Sequence, residues 1–104
     1  MRSGEGKITW KNPKSEKVTY GGNLENDQPN GKGLMTYKNQ DTYAGYWKDG
    51  DRDEYGELRL ADGRMKYEGE WDNDLYHGQG TLFSYDEGEV KSQKGLFENG
   101  EFIR

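Results

Sequence analysis

A five-residue phrase, Tyr-x-Gly-x-aromatic, returns along this chain at Tyr20-Gly21-Gly22-Asn23-Leu24, Tyr43-Ala44-Gly45-Tyr46-Trp47 and Tyr67-Glu68-Gly69-Glu70-Trp71, with a worn copy ending Gly95-Leu96-Phe97. The glycines at 22, 45, 69 and 95 are separated by 23, 24 and 26 residues. Self-similarity at a nearly fixed period marks a repeat architecture, in which each unit is too small to bury a core alone and must stack on its neighbours. Function in such an array belongs to the surface that the units build together rather than to an enclosed catalytic pocket.

The phrase alternates with period 2, which puts Tyr43, Gly45 and Trp47 on one face of a strand and Ala44 and Tyr46 on the other. Each copy is followed by Asn26-Asp27, Asp49-Gly50, Asn73-Asp74 or Asn99-Gly100, pairs that tolerate positive φ and signal a hairpin. A return strand follows three of them, over residues 31–37, 56–60 and 78–82, and polar turns at 38–41 and 61–63 lead into the next copy. Each repeat therefore reads as a β-hairpin. Residues 6–12 line up with 33–39 as an amino-terminal half-unit, and a single strand from Gly95 to Phe102 closes the other end. The division expected is 1–17 for the half-repeat and its start, and 18–102 for three repeats and a carboxy-terminal half-repeat. Strand glycines weaken a sheet unless a ring or another backbone occupies the space of the missing Cβ. Gly22, Gly45 and Gly69 are expected to be covered by neighbouring Tyr or Trp rings, so that one sheet makes a tight layer without a second sheet behind it.

Composition sharpens this. With 29 % hydrophobic and 34 % charged residues the chain sits near the disordered class, but 13 % aromatics and 16 glycines held at fixed phase argue for an ordered, thin structure. The sequence has no cysteine, which removes disulfides and thiolate zinc ligands. No apolar run approaches the roughly 20 residues of a membrane span, and residues 1–10 contain no signal-peptide core, so a cytoplasmic location is expected. The net charge of −5 divides into +3 for residues 1–20 and −8 for residues 21–104. An acidic array disfavours nucleic acid and anionic lipid as its main ligand.

The residues quoted resemble the MORN (membrane occupation and recognition nexus) repeat, whose pattern runs Tyr-x-Gly-x-Trp, a short polar turn, Gly-x-Gly, then an apolar strand. The likeness covers about residues 18–100 with the half-unit at 6–12, and residues 67–82 follow the pattern almost throughout. Three positions depart from it: Leu24 stands for the Trp, Glu54 for the first glycine of the second Gly-x-Gly, and Gln93 for the last Tyr. The resemblance implies an all-β fold, an elongated, twisted, single-layer antiparallel sheet of tandem hairpins, acting as a binding or assembly module and not as an enzyme.

Residue chemistry points the same way. Asp49, Asp51 and Asp53 occupy positions 1, 3 and 5 of a calcium-loop frame, but Glu54 replaces the required glycine and Leu60 the closing glutamate, so a solvated acidic turn is the better reading. His77 is the only histidine and reads as a structural turn residue. Gly31-Lys32-Gly33 and Gly78-Gln79-Gly80 open no helix and lack the Ser or Thr of a phosphate loop. Glu68 and Glu70 read as solvated carboxylates of a strand's polar face. No metal or cofactor is expected.

What remains is the aromatic face, where stacking is expected to bury part of the stripe and leave the rest as a groove. The contact residues expected there are Tyr37, Tyr43, Trp47, Tyr67 and Trp71, with Asp49, Asp51, Asp53 and Glu54 as an acidic rim selecting a basic or amphipathic segment of another protein. A second copy of the chain is another candidate partner. The rival readings are a peripheral phosphoinositide or membrane-binding module, opposed by the charge, and an acidic inhibitor that imitates nucleic acid.

Overall fold

The computed structural model describes residues 4–104; the first three residues of the expected half-repeat lie outside the described residues. Nine strands follow one another in a single antiparallel sheet: β1 (Gly4–Thr9), β2 (Lys17–Glu25), β3 (Gln28–Tyr37), β4 (Thr42–Lys48), β5 (Asp51–Arg59), β6 (Met65–Asp72), β7 (Leu75–Asp86), β8 (Glu89–Glu98) and β9 (Glu101–Phe102). Spatial order equals chain order, and the overall dimensions are 44 × 26 × 20 Å.

The four predicted two-residue turns are present with the backbone that their residues favour. Both central residues have positive φ at Asn26-Asp27 (52° and 64°), Asp49-Gly50 (50° and 88°), Asn73-Asp74 (48° and 71°) and Asn99-Gly100 (49° and 90°). That is the twist-matched hairpin turn for which Asn, Asp and Gly are suited. Successive hairpins are tied at these turns, where Gly50, Asp74 and Gly100 donate their N–H to Pro29, Arg52 and Tyr76 carbonyls of the preceding hairpin at 2.9, 3.0 and 2.9 Å.

Sequence expectations change first at the carboxy-terminal end and then in the acidic segment. The strand expected from Gly95 to Phe102 is broken by the Asn99-Gly100 turn into β8 and β9. Upstream, β7 and β8 run on together from Leu82–Gln93 to Asp86–Glu89 and close through Glu87-Gly88 (φ 50° and 84°), a turn that the Asn/Asp rule did not mark. Secondly, β5 begins at Asp51, so Asp51 and Asp53 belong to a strand and not to a turn.

Gly6, Gly22, Gly33, Gly45, Gly56, Gly69, Gly80 and Gly95 are directly opposite one another from β1 to β8, a rib of glycine across the sheet. On the rib, Gly22, Gly45 and Gly69 abut the backbone of Gly33, Gly56 and Gly80, so what excludes a Cβ is chiefly main chain and not the ring that the sequence suggested. The rings lie one strand further on: a Cβ at Gly33, Gly56 or Gly80 would enter the Tyr20, Tyr43 or Tyr67 ring.

Each register then breaks between Gly22 and Leu24, Gly45 and Trp47, Gly69 and Trp71. The carbonyls at these breaks, on Asn23, Tyr46 and Glu70, accept the hydroxyls of Tyr20 (2.6 Å), Tyr43 (3.0 Å) and Tyr67 (2.9 Å). The repeating tyrosine thus fills the glycine gap with its ring and satisfies a backbone acceptor with its tip.

At the same breaks Gly31 and Gly78 have φ of 92° and 99°, and Glu54 occupies the equivalent place at 65°. A Cβ is disfavoured in this left-handed region by about 1–2 kcal/mol. Glu54→Gly is therefore expected to raise stability by about 1 kcal/mol, partly offset by chain entropy, measured by urea unfolding. A destabilised Glu54→Gly protein would show that the glutamate side chain contributes more than its backbone costs.

Candidate interaction surface

The aromatic stripe is the core. Tyr43 and Tyr67 are 0 % exposed, Trp71 3 % and Trp47 4 %, joined by Tyr20, Leu24, Met35, Leu58 and Phe97. The rings cover one another edge-on: Tyr43 to Trp47 at 4.9 Å, Tyr43 to Trp71 at 5.2 Å and Tyr67 to Phe97 at 5.3 Å between centroids. Trp47 and Trp71 Nε1 donate to the Gly33 and Gly56 carbonyls, both at 3.2 Å. Tyr43, Trp47, Tyr67 and Trp71 therefore present almost no surface to a partner of the closed sheet. Tyr76, stacked on Tyr67 at 4.0 Å, belongs to this layer although the repeat phrase did not point to it.

Burial raises the phenols of Tyr20 and Tyr67 to about 12, and burial first among several influences raises Tyr43. The sign follows from linkage: a folded value above the unfolded value near 10 favours the protonated, folded form. That stability is complete below about pH 10 and is lost between about pH 10 and 12. Tyrosinate absorbance and loss of the β signal are expected to rise together on alkaline titration; ionisation of these tyrosines near pH 10 in an intact sheet would contradict their burial.

Tyr37 is half-buried, packed against this core, and also lines a hollow of about 450 Å³ on the core side shared with Glu16, Lys38, Asp41, Arg52 and Lys66. Arg52 dominates its wall. The guanidinium lies 4.5 Å from the Trp71 ring centroid, and Nε is 3.1 Å from Asp74 Oδ1. The expected acidic rim is drawn out along the β4–β5 hairpin: Asp49 and Glu54 are exposed, Asp51 and Asp53 half-buried. Burial and then the Asp74 carboxylate push Asp51 above its ordinary range. Among the described residues no set of three or more carboxylate or imidazole groups converges as a metal site. His77 stands in β7, where Nδ1 accepts the Asn99 N–H at 3.3 Å and steadies the last hairpin.

An accessible apolar groove lies on the other face. A groove of about 520 Å³ runs over the glycine backbone at Gly21, Gly33 and Gly45, lined by Leu34, Ala44, Tyr46 and Tyr55, with Lys32 and Glu57 also on its walls. Leu34, Tyr46 and Tyr55 are 49, 40 and 47 % exposed. Period 2 placed Tyr46 on this face, but repeat logic drew attention to the opposite one. On neighbouring β6, Glu68 stands directly across from Glu57, and Glu70 across from Tyr55. Burial, then Glu57 and Glu68, raise the Tyr55 phenol.

Among the described residues no helix is long and apolar enough to cross a membrane, a statement that does not bear on β-barrels. Comparison with known proteins finds alsin of Homo sapiens 33 % identical over 85 residues, 78 % of this chain and 5 % of that protein, and alsin of Rattus norvegicus 31 % identical over the same length. MORN repeat-containing protein 3 of Xenopus laevis is 37 % identical over 70 residues, 62 % of this chain and 29 % of that protein. The chain thus spans a small part of the curated relatives it matches. The MORN repeat pattern fits residues 1–12, 20–42, 43–63 and 67–89, and with the hairpin ladder and its glycine rib this establishes that the chain belongs to the MORN repeat family.

Proposed function

We propose that the chain is a non-enzymatic, cytoplasmic interaction module that captures a segment of another protein on the face opposite its aromatic core. The observation that carries this reading is the asymmetry of the two faces. Core aromatics are saturated by one another, whereas Leu34, Tyr46 and Tyr55 leave large apolar surface open around a groove. Tyrosine anchors beside polar residues suit a protein contact. MORN repeats are in general interaction modules for proteins or membranes, and the excess of carboxylates on residues 21–104 opposes a negatively charged bilayer.

The rim residues sit in the hairpin that carries both groove tyrosines, Asp49 and Glu54 being the outward ones. Rim charges steer encounter more than they hold a complex. Affinity capture from lysate with the native chain, then with Leu34→Ser/Tyr46→Ser, tests the groove: the specific partner should be lost while the melting temperature changes little. With that partner in hand, Asp49→Lys/Glu54→Lys should slow association about tenfold at low salt and leave dissociation unchanged. Capture that survives the groove variant would refute the reading; association indifferent to both salt and reversal would remove the rim from recognition.

A further inference from the structure

The groove is not evenly charged along its length. From β3 to β5 its wall residues run from Lys32 and Leu34, through Ala44 and Tyr46, to Tyr55 and Glu57, and just beyond it on β6 Glu68 and Glu70 stand across from Glu57 and Tyr55. Glu57 and Glu68 are direct cross-strand neighbours, an arrangement that costs stability because like charges oppose each other. Their local compensation is slight. Arg59 reaches Glu57 at 3.3 Å, with side chains 45 % and 35 % exposed. An exposed ion pair of this kind contributes little.

We infer that the groove binds an amphipathic basic segment of another protein lying across the strands, its apolar side chains on Leu34, Ala44 and Tyr46 and its Lys or Arg heads over Tyr55 on the Glu57–Glu68 pair. This rests on the interaction-module reading above and adds the chemistry of the partner and its direction. A cation arriving between the two glutamates relieves their repulsion, and the Tyr55 ring offers it a π face. Lys32 at the far end repels the same cation, so the basic end of the segment is placed over β5 and β6. Glu57 and Glu68 act here at contact range, in distinction to the steering role of the hairpin-tip carboxylates.

The test uses three short peptides of one apolar pattern, alternating leucine with lysine, glutamine or glutamate, titrated into the isotope-labelled chain while backbone amide shifts are followed. The lysine peptide should shift amides at Leu34, Tyr46, Tyr55 and Glu68. Glu57→Gln/Glu68→Gln should weaken it about fivefold while the melting temperature stays the same or rises, opposite to the effect of a structural pair. Lysine and glutamine peptides binding the groove equally would overturn the cationic partner and leave the groove standing. Shifts confined to other regions, or no shift with any peptide, would overturn both. Anionic vesicles of phosphatidylserine shifting the same amides would replace the protein segment with a lipid surface.

Discussion

Trp71→Ala is expected to cost about 3–5 kcal/mol, the range for losing a buried aromatic, and so to lower the melting temperature by roughly 15–25 °C or to leave the chain unfolded. Trp71 is 3 % exposed. Its ring meets Tyr43, Tyr67 and Tyr76 edge-on at 5.2, 5.1 and 4.9 Å, and the Arg52 guanidinium lies over it. Removing the indole opens a hole that no second layer can collapse to fill. It also exposes the Arg52 stem, and it strips the Gly56 carbonyl of the indole N–H donor. Tyr55→Ala, on the open face, should change stability by less than about 1 kcal/mol, as surface substitutions do. The pair of variants compared by urea unfolding separates the closed core face from the open face. Equal and small effects would mean that the aromatic stripe is not what holds the sheet.

The hairpin architecture was legible because its signals are local. Asn-Asp, Asp-Gly and Asn-Gly pairs declare positive φ wherever they occur, and a recurring glycine parity fixes the register between neighbours. Glu87-Gly88 escaped because only the glycine carries a signal, and glutamate is not a residue chosen for the left-handed region. Which face stays open was harder to read for a different reason. Alternation sorts side chains onto two faces, but in a single-layer sheet nothing in the alternation says which face closes on itself. The face with tyrosines and tryptophans at i and i+4 looked like the binding stripe, yet those rings are large enough to roof the glycine rib and bury one another. Tyr46, Tyr55 and Leu34 sit on the face where their neighbours are Ala44, Lys32 and Glu57, too small or too polar to cover them. Tyr46 falls inside the repeat phrase itself, so its exposure depends on packing and not on pattern. The carboxylates show the same limit: residues 49–54 cluster in sequence, whereas Glu57 and Glu68 meet only through the β5–β6 register.

Gly45→Val should destabilise by about 3 kcal/mol, at the upper end of the usual cost of overpacking, while Gly21→Val should fall within about 0.5 kcal/mol of the native chain. Both glycines lie in strands that follow the same repeat phrase, so composition and propensity treat them alike. Their surroundings differ. A Cβ at Gly21 has nothing within 4 Å, and fixing the chain there reduces unfolded-state freedom, which favours folding. A Cβ at Gly45 enters the Gly56 Cα and the Tyr55 carbonyl, parts of the main chain that can yield only by separating β4 from β5. The distinction between main-chain and ring contact can be tested on the same rib. Gly56→Ala collides with the Tyr43 ring, so its cost should shrink in a Tyr43→Leu background, giving a strong coupling in a double-mutant cycle. Gly45→Val should gain little from the same shortening, because Tyr43 only grazes it at 2.9 Å and the backbone remains. Equal rescue at both sites would mean that rings alone set the spacing of the rib; rescue at neither would mean that the strands themselves are too close for any side chain, with the tyrosines filling a gap already fixed by the backbone.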